Sequence, residues 1–149
     1  MIRPVKLDGG GPPAPSNPAK PVGEGTSTGK PKVLLVDSRD HVRFLLGPLL
    51  MTKYEVLEVG SPAEAKDILQ AHPDIALIYC ASYNLIPDDG IEFARTRPEH
   101  IKFILMGVNI GRLKETGFLA GIKIDGTVEE PIAYVDAVRL ADAVLLTST

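Results

Sequence analysis

Apolar residues in this chain gather in short unbroken runs, and between the runs they recur at helical spacing. KVLLVD, from Lys32 to Asp37, is the kind of apolar run that a strand buried on both faces requires. In SRDHVRFLLGPLLMTK, Val42, Leu45, Leu46 and Leu49 fall on one helical face, and Ser38 is placed to cap its start. Pro48 has no backbone donor and its ring crowds the preceding turn, so a kink or early end is expected at Gly47-Pro48. YEVLEV, Tyr54 to Val59, reads as a second strand. SPAE, Ser61 to Glu64, sets a cap, a proline at the first helical position and a reciprocating glutamate in order. It predicts a helix to Ala71, beyond which Pro73 bars continuation. A third strand is expected from Ile75 to Cys80 or Ala81, and a helix from Asp89-Gly90 to Arg97. IKFILMG, Ile101 to Gly107, is the fourth strand, and Arg112 to Ala120 a short helix interrupted by Gly117. GIKIDGTV contains the fifth strand, and Pro131 starts a last helix that ends near Leu146.

Strands that alternate with helices through short connections imply a parallel sheet covered on both faces, with right-handed crossovers. Five such units predict an α/β, flavodoxin-like (βα)5 three-layer sandwich with strand order 2-1-3-4-5. Its site is expected where the order reverses, at the carboxyl ends of strands one and three. Asp37 and the segment from Tyr79 to Tyr83 fall there.

Composition adds a boundary and some exclusions. Residues 1–30 are dense in Pro, Gly, Ser and Thr and hold few large apolar side chains, so they are expected to be a disordered arm before a folded domain spanning 31–149. The net charge of −3 argues against nucleic acid or a membrane surface as partner. One cysteine excludes a disulfide framework and a cysteine-rich zinc site. The chain has no apolar run near the ~18 residues of a membrane span and no secretory h-region, so a cytoplasmic setting is expected.

VLLVDSRD, YEVLEV, SPAEAKDIL, PDIALI, PDDGIEF and a proline before the last helix stand in the order found in bacterial receiver domains, and Lys32 to Leu146 resembles that family. The resemblance implies a two-component signalling module. In that family an acidic pair after strand one and an aspartate ending strand three hold Mg²⁺ through oxygen ligands, and the aspartate takes phosphate from a histidine kinase. A Thr or Ser after strand four and a Lys before a proline after strand five contact the phosphoryl oxygens.

This chain departs from that set. Asp37 keeps the first acidic position, and Ser38 replaces the second. Counting forward from Pro73-Asp74 puts the acceptor at Tyr79, and counting back from Pro87 puts it at Tyr83. A phenol with a pKa of ~10 does not replace a carboxylate near neutrality. The hydroxyl position falls on Met106 or Gly107, and the lysine position on Glu130. The resemblance therefore implies a pseudo-receiver with no catalytic role, no bound metal and no cofactor.

Other residues with chemical potential have simpler explanations. Asp88 and Asp89 suit helix capping, with a residual phosphoacceptor as the rival reading. Cys80 suits a small buried hydrophobe. His41, His72 and His100 have no metal spacing. The last helix is apolar around much of its circumference, and Tyr134, Val138, Arg139 and Val144 are candidates for an interaction face. In receivers the surface of helix four, strand five and helix five is the usual output and dimerisation face. The sequence thus points to a protein-binding domain that needs no phosphorylation, with a homodimer through that face left open. The rivals are a residual receiver phosphorylated at Asp88 or Asp89, and a small-ligand sensor that uses the degenerate pocket.

Overall fold

A computed structural model describes residues 29–82, 89–117 and 119–146, without the side chain of Asp89. Residues 1–28, most of the expected arm, lie outside it, as do Tyr83 and Asp88.

Five strands, β1 (Lys32–Val36), β2 (Glu55–Val59), β3 (Ile75–Ala81), β4 (Lys102–Gly107) and β5 (Gly126–Glu129), form one parallel sheet in the order β2-β1-β3-β4-β5. Between and after them run α1 (Asp40–Met51), α2 (Pro62–Ala71), α3 (Asp89–Thr96), α4 (Ile110–Glu115) and α5 (Tyr134–Leu146). Alternation along the strands divides the core in two. Leu34, Val36, Ile78, Cys80, Phe103 and Leu105 face one layer, where Ala65, Phe93, Ala94 and Ile110 of α2, α3 and α4 cover them. Val33, Leu35, Leu77, Tyr79, Ile104 and Met106 face the other layer, under Leu46 and Leu50 of α1 and Ala137, Ala141 and Val144 of α5. Among the described residues no helix is long and apolar enough to cross a membrane.

Helix α2 starts as SPAE predicts. The Ser61 side chain accepts from Glu64 N–H at 3.2 Å, and the Glu64 carboxylate accepts from Gly60 N–H at 2.8 Å, one residue before the cap. Three helices, α1, α4 and α5, depart from expectation. Helix α1 runs through Pro48 to Met51, and its N-cap position is Arg39 rather than Ser38. Its buried residues are Val42, Leu46, Gly47 and Leu50, whereas Leu45 and Leu49 are 45% and 38% exposed. The anchors at Leu46 and Leu50 lie on both sides of Pro48 and hold the helix to the sheet past the missing donor. Helix α4 begins at Ile110 and stops at Glu115, because Gly117 takes φ +84°, a left-handed conformation that ends helices. Helix α5 begins at Tyr134, three residues beyond Pro131.

Candidate functional site

The carboxyl edge of the sheet is assembled by register. Val36 pairs with Cys80, and Ala81 pairs with Met106, so Asp37, Ser82, Gly107 and Glu130 follow one another across the ends of β1, β3, β4 and β5. Backbone bonds extend the ladder into this edge: Asp37 N–H to Val59 at 3.1 Å, Ser82 N–H to Met106 at 2.7 Å, and Glu130 N–H to Gly107 at 2.8 Å. Asp37 and Ser82 are the buried polar side chains among the described residues, at 1% and 2% exposure.

A guanidinium fills the space between two of these ends. Arg39 donates from its backbone N–H and its Nε to Asp37 Oδ1, both at 2.9 Å, and from Nη2 to Asp37 Oδ2 at 2.8 Å. The same side chain donates from Nη1 and Nη2 to the two oxygens of Glu130, both at 2.6 Å. One arginine thus grips two carboxylates bidentately, a geometry that suits its planar fork and that a lysine cannot reproduce. Hydrogen bonds to Glu130 and then to Asp37 hold the guanidinium above its already high pKa, so it is charged at every working pH. The triad carries two negative charges and one positive, and its cation belongs to the chain itself.

Gly107 sits tightly against the end of β3. A Cβ there would lie 2.8 Å from the Ser82 carbonyl oxygen, so any side chain at 107 would push the backbone of β3. The neighbouring Glu129 accepts from the N–H of Asn109, and from that of Ile110 at 3.1 Å, at the start of α4. Among the described residues no group of three His, Cys, Asp or Glu is arranged to hold a metal.

The structure brings Asp37, Gly107 and Glu130 of the expected set together and turns Tyr79 and Met106 into the core. Tyr79 points to the opposite layer, is 0% exposed, and donates its hydroxyl to the Ala137 carbonyl of α5 at 2.5 Å. It does not line the edge, because β3 continues past it to Ala81. Met106 likewise faces the core under α1 and α5, and Ser38 is exposed. Tyr83 and Asp88, and the side chain of Asp89, lie outside the described residues. Cys80 is buried in the core, as a small hydrophobe would be. Arg39 and Ser82 were not legible as site residues. Their signal was a cation two residues from Asp37 with a carboxylate at the lysine position, and a strand two residues longer than the motif count assumed.

On the α5 candidate face, Val144 is buried, Tyr134 and Val138 are partly buried against the core, and Arg139 pairs with Asp136 at 3.7 Å. Burial raises the pKa of both Tyr79 and Tyr54, and a hydrogen bond to Asp142 adds to the shift at Tyr54. Stability from such groups is complete below the unfolded phenol pKa of ~10 and is lost as pH rises through the folded value. Unfolding free energy should therefore fall above pH ~10 by up to ~1.4 kcal/mol per pH unit for each tyrosine. Urea midpoints across that range check this, and Tyr79→Phe should about halve the slope. An unchanged slope in that variant would refute the assignment.

No protein-family model and no curated protein matches the chain. Solved structures do. The chemotaxis response regulator CheY4 of Vibrio cholerae matches at TM-score 0.64 and 20% identity, over 77% of this chain and 98% of that one. A response regulator receiver protein from Sinorhizobium medicae matches at 0.67 and 18%, over 83% and 100%. A sensor protein from Polaromonas matches at 0.69 and 17%, over 80% and 98%. The chain therefore has the receiver, CheY-like fold, with the expected strand order.

Proposed function

We propose that this receiver-like domain is a pseudo-receiver: a protein-binding signalling module of a bacterial two-component type system, cytoplasmic, that works without phosphorylation and catalyses no reaction. The observation that carries the reading is Arg39, bound to Asp37 and Glu130 at the edge where receivers hold Mg²⁺ and phosphate. A divalent cation would have to displace a guanidinium held by four side-chain hydrogen bonds. A phosphoryl group would meet a net negative triad. Tyr79, the acceptor place by the forward count, is buried in the core and bonded to α5, and β3 ends beside Ser82. Gly107 supplies no hydroxyl, and its contact with the Ser82 carbonyl leaves no room for one.

The test is acetyl phosphate, and separately beryllofluoride, each with Mg²⁺, followed by intact mass and amide NMR spectra. The expected result is no adduct, no spectral change, and Mg²⁺ binding no tighter than ~10 mM. A phosphoryl adduct on Asp88, Asp89 or Ser82, or saturable submillimolar Mg²⁺ binding, would sink the reading.

A further inference from the structure

We infer that the outward face of α1 is a docking site for residues 1–7 of the same chain, MIRPVKL. The inference goes beyond the function proposed above and does not rest on it. Val42, Leu46 and Leu50 turn α1 onto the sheet, and at helical spacing Phe44, Pro48 and Met51 form a stripe on the opposite side. All three are exposed, Phe44 at 77%. Leu45 and Leu49, also exposed, widen the stripe on the flank toward α5. On the other flank Gly47 backs onto Glu58 of β2, which is the edge of the sheet, so among the described residues no strand lies beyond it. From Phe44 to Met51 the helix has no polar side chain, so its whole outer face is apolar, which a solvated helix does not need.

Position, composition and charge select this occupant. The described chain begins at Gly29, and the Pro31 carbonyl accepts from Glu55 N–H at 2.9 Å. Residues before Lys32 therefore leave the fold beside the turn of residues 52–54, which follows Met51 at the end of α1. Asp8 to Thr28 is a Gly- and Pro-rich stretch of 21 residues, and the ~25 Å reach of such a chain exceeds the ~18 Å length of α1. Residues 1–28 hold five large apolar side chains, and four of them, Met1, Ile2, Val5 and Leu7, lie in MIRPVKL. A segment tethered this closely acts at about millimolar effective concentration, which places it ahead of an untethered apolar partner at micromolar concentration. Residues 1–30 carry a net charge of +2, which leaves −5 on residues 31–149 of a chain at −3. Arg3 and Lys6 give the apolar segment the sign opposite to the domain, and the Glu58 carboxylate stands at the open flank of α1.

The test is limited trypsin digestion of the full chain, read by intact mass. Arg3, Lys20 and Lys30 each precede proline, where trypsin does not cut, so Lys6–Leu7 is the cleavable bond of residues 1–31. Its expected rate is at least ~10-fold below that in a synthetic peptide of residues 1–12, and the same at every micromolar protein concentration. Phe44→Ser, Met51→Ser and Ile2→Asp should each raise the rate at least ~3-fold, with circular dichroism unchanged. Val108→Ser, an exposed residue after β4, should leave it as it is. A full-chain rate equal to that of the peptide would overturn the inference. So would protection that survives both Phe44→Ser and Met51→Ser, which would seat the segment elsewhere. Protection that grows with protein concentration would also overturn it, by assigning the contact to a second copy.

Discussion

Arg39→Ala should lower the unfolding free energy by about 3 kcal/mol, because it strands a buried carboxylate. The Asp37 side chain is fully buried and that of Glu130 is 15% exposed, while Arg39 itself keeps 27% of its side-chain surface. After the change Asp37 keeps the backbone N–H of residue 39 and loses two charged donors, and Glu130 loses two more. The two carboxylates then face each other across the sheet edge with no cation between them. Arg39→Lys should recover only part of the loss, since one ammonium cannot bind both carboxylates bidentately. Adding Glu130→Gln to Arg39→Ala should recover stability by removing the repulsion, a coupling that a double-mutant cycle measures. Urea unfolding with an unchanged slope gives each value. A loss below ~1 kcal/mol for Arg39→Ala would mean that the triad behaves as a solvated surface pair and has no claim on the pocket.

The fold was legible because its signals are local. Parallel strands buried on both faces are written as apolar runs, and each of KVLLV, IALIYCA and KFILMG became a strand in the expected order. SPAE fixed the start of α2 through bonds that the sequence names outright. The phase of α1 was not legible. From Phe44 to Met51 the helix has no charged or polar side chain to mark its outer face, so apolar spacing alone fits more than one rotation. Contact with α5 and β2 selects Val42, Leu46 and Leu50, and leaves Phe44 in solvent. The site was half legible for a related reason. Asp37 and Glu130 were recognised one by one as departures from a phosphate-binding set. Their shared partner depends on β1 and β5 delivering residues 91 apart to one edge. Counting along the motif also placed Tyr79 at the pocket, although the apolar run that marks β3 continues to Ala81, and in the fold the Tyr79 side chain turns into the core under α5.

Val144→Asp should cost about 4 kcal/mol, with a fall in Tm of roughly 10–20 °C, because it buries a charge with no partner. Val144 is 5% exposed and packs in the layer of Leu46, Leu50, Met106 and Val128. Val135, on the same helix, is 58% exposed, and Val135→Asp should change stability by no more than about 0.5 kcal/mol. The partly buried Val138 should fall between them. The pH dependence separates charge burial from lost packing. A buried aspartate introduced at 144 has its pKa raised, so the charge penalty is absent below pH ~3, where the carboxyl is neutral in both states, and grows as pH rises toward the folded value. The Val144→Asp deficit measured by urea unfolding should therefore shrink toward that pH. A deficit that is constant across pH would assign the whole effect to the cavity and the lost methyls. No deficit at all would mean that α5 presents a different face to the sheet.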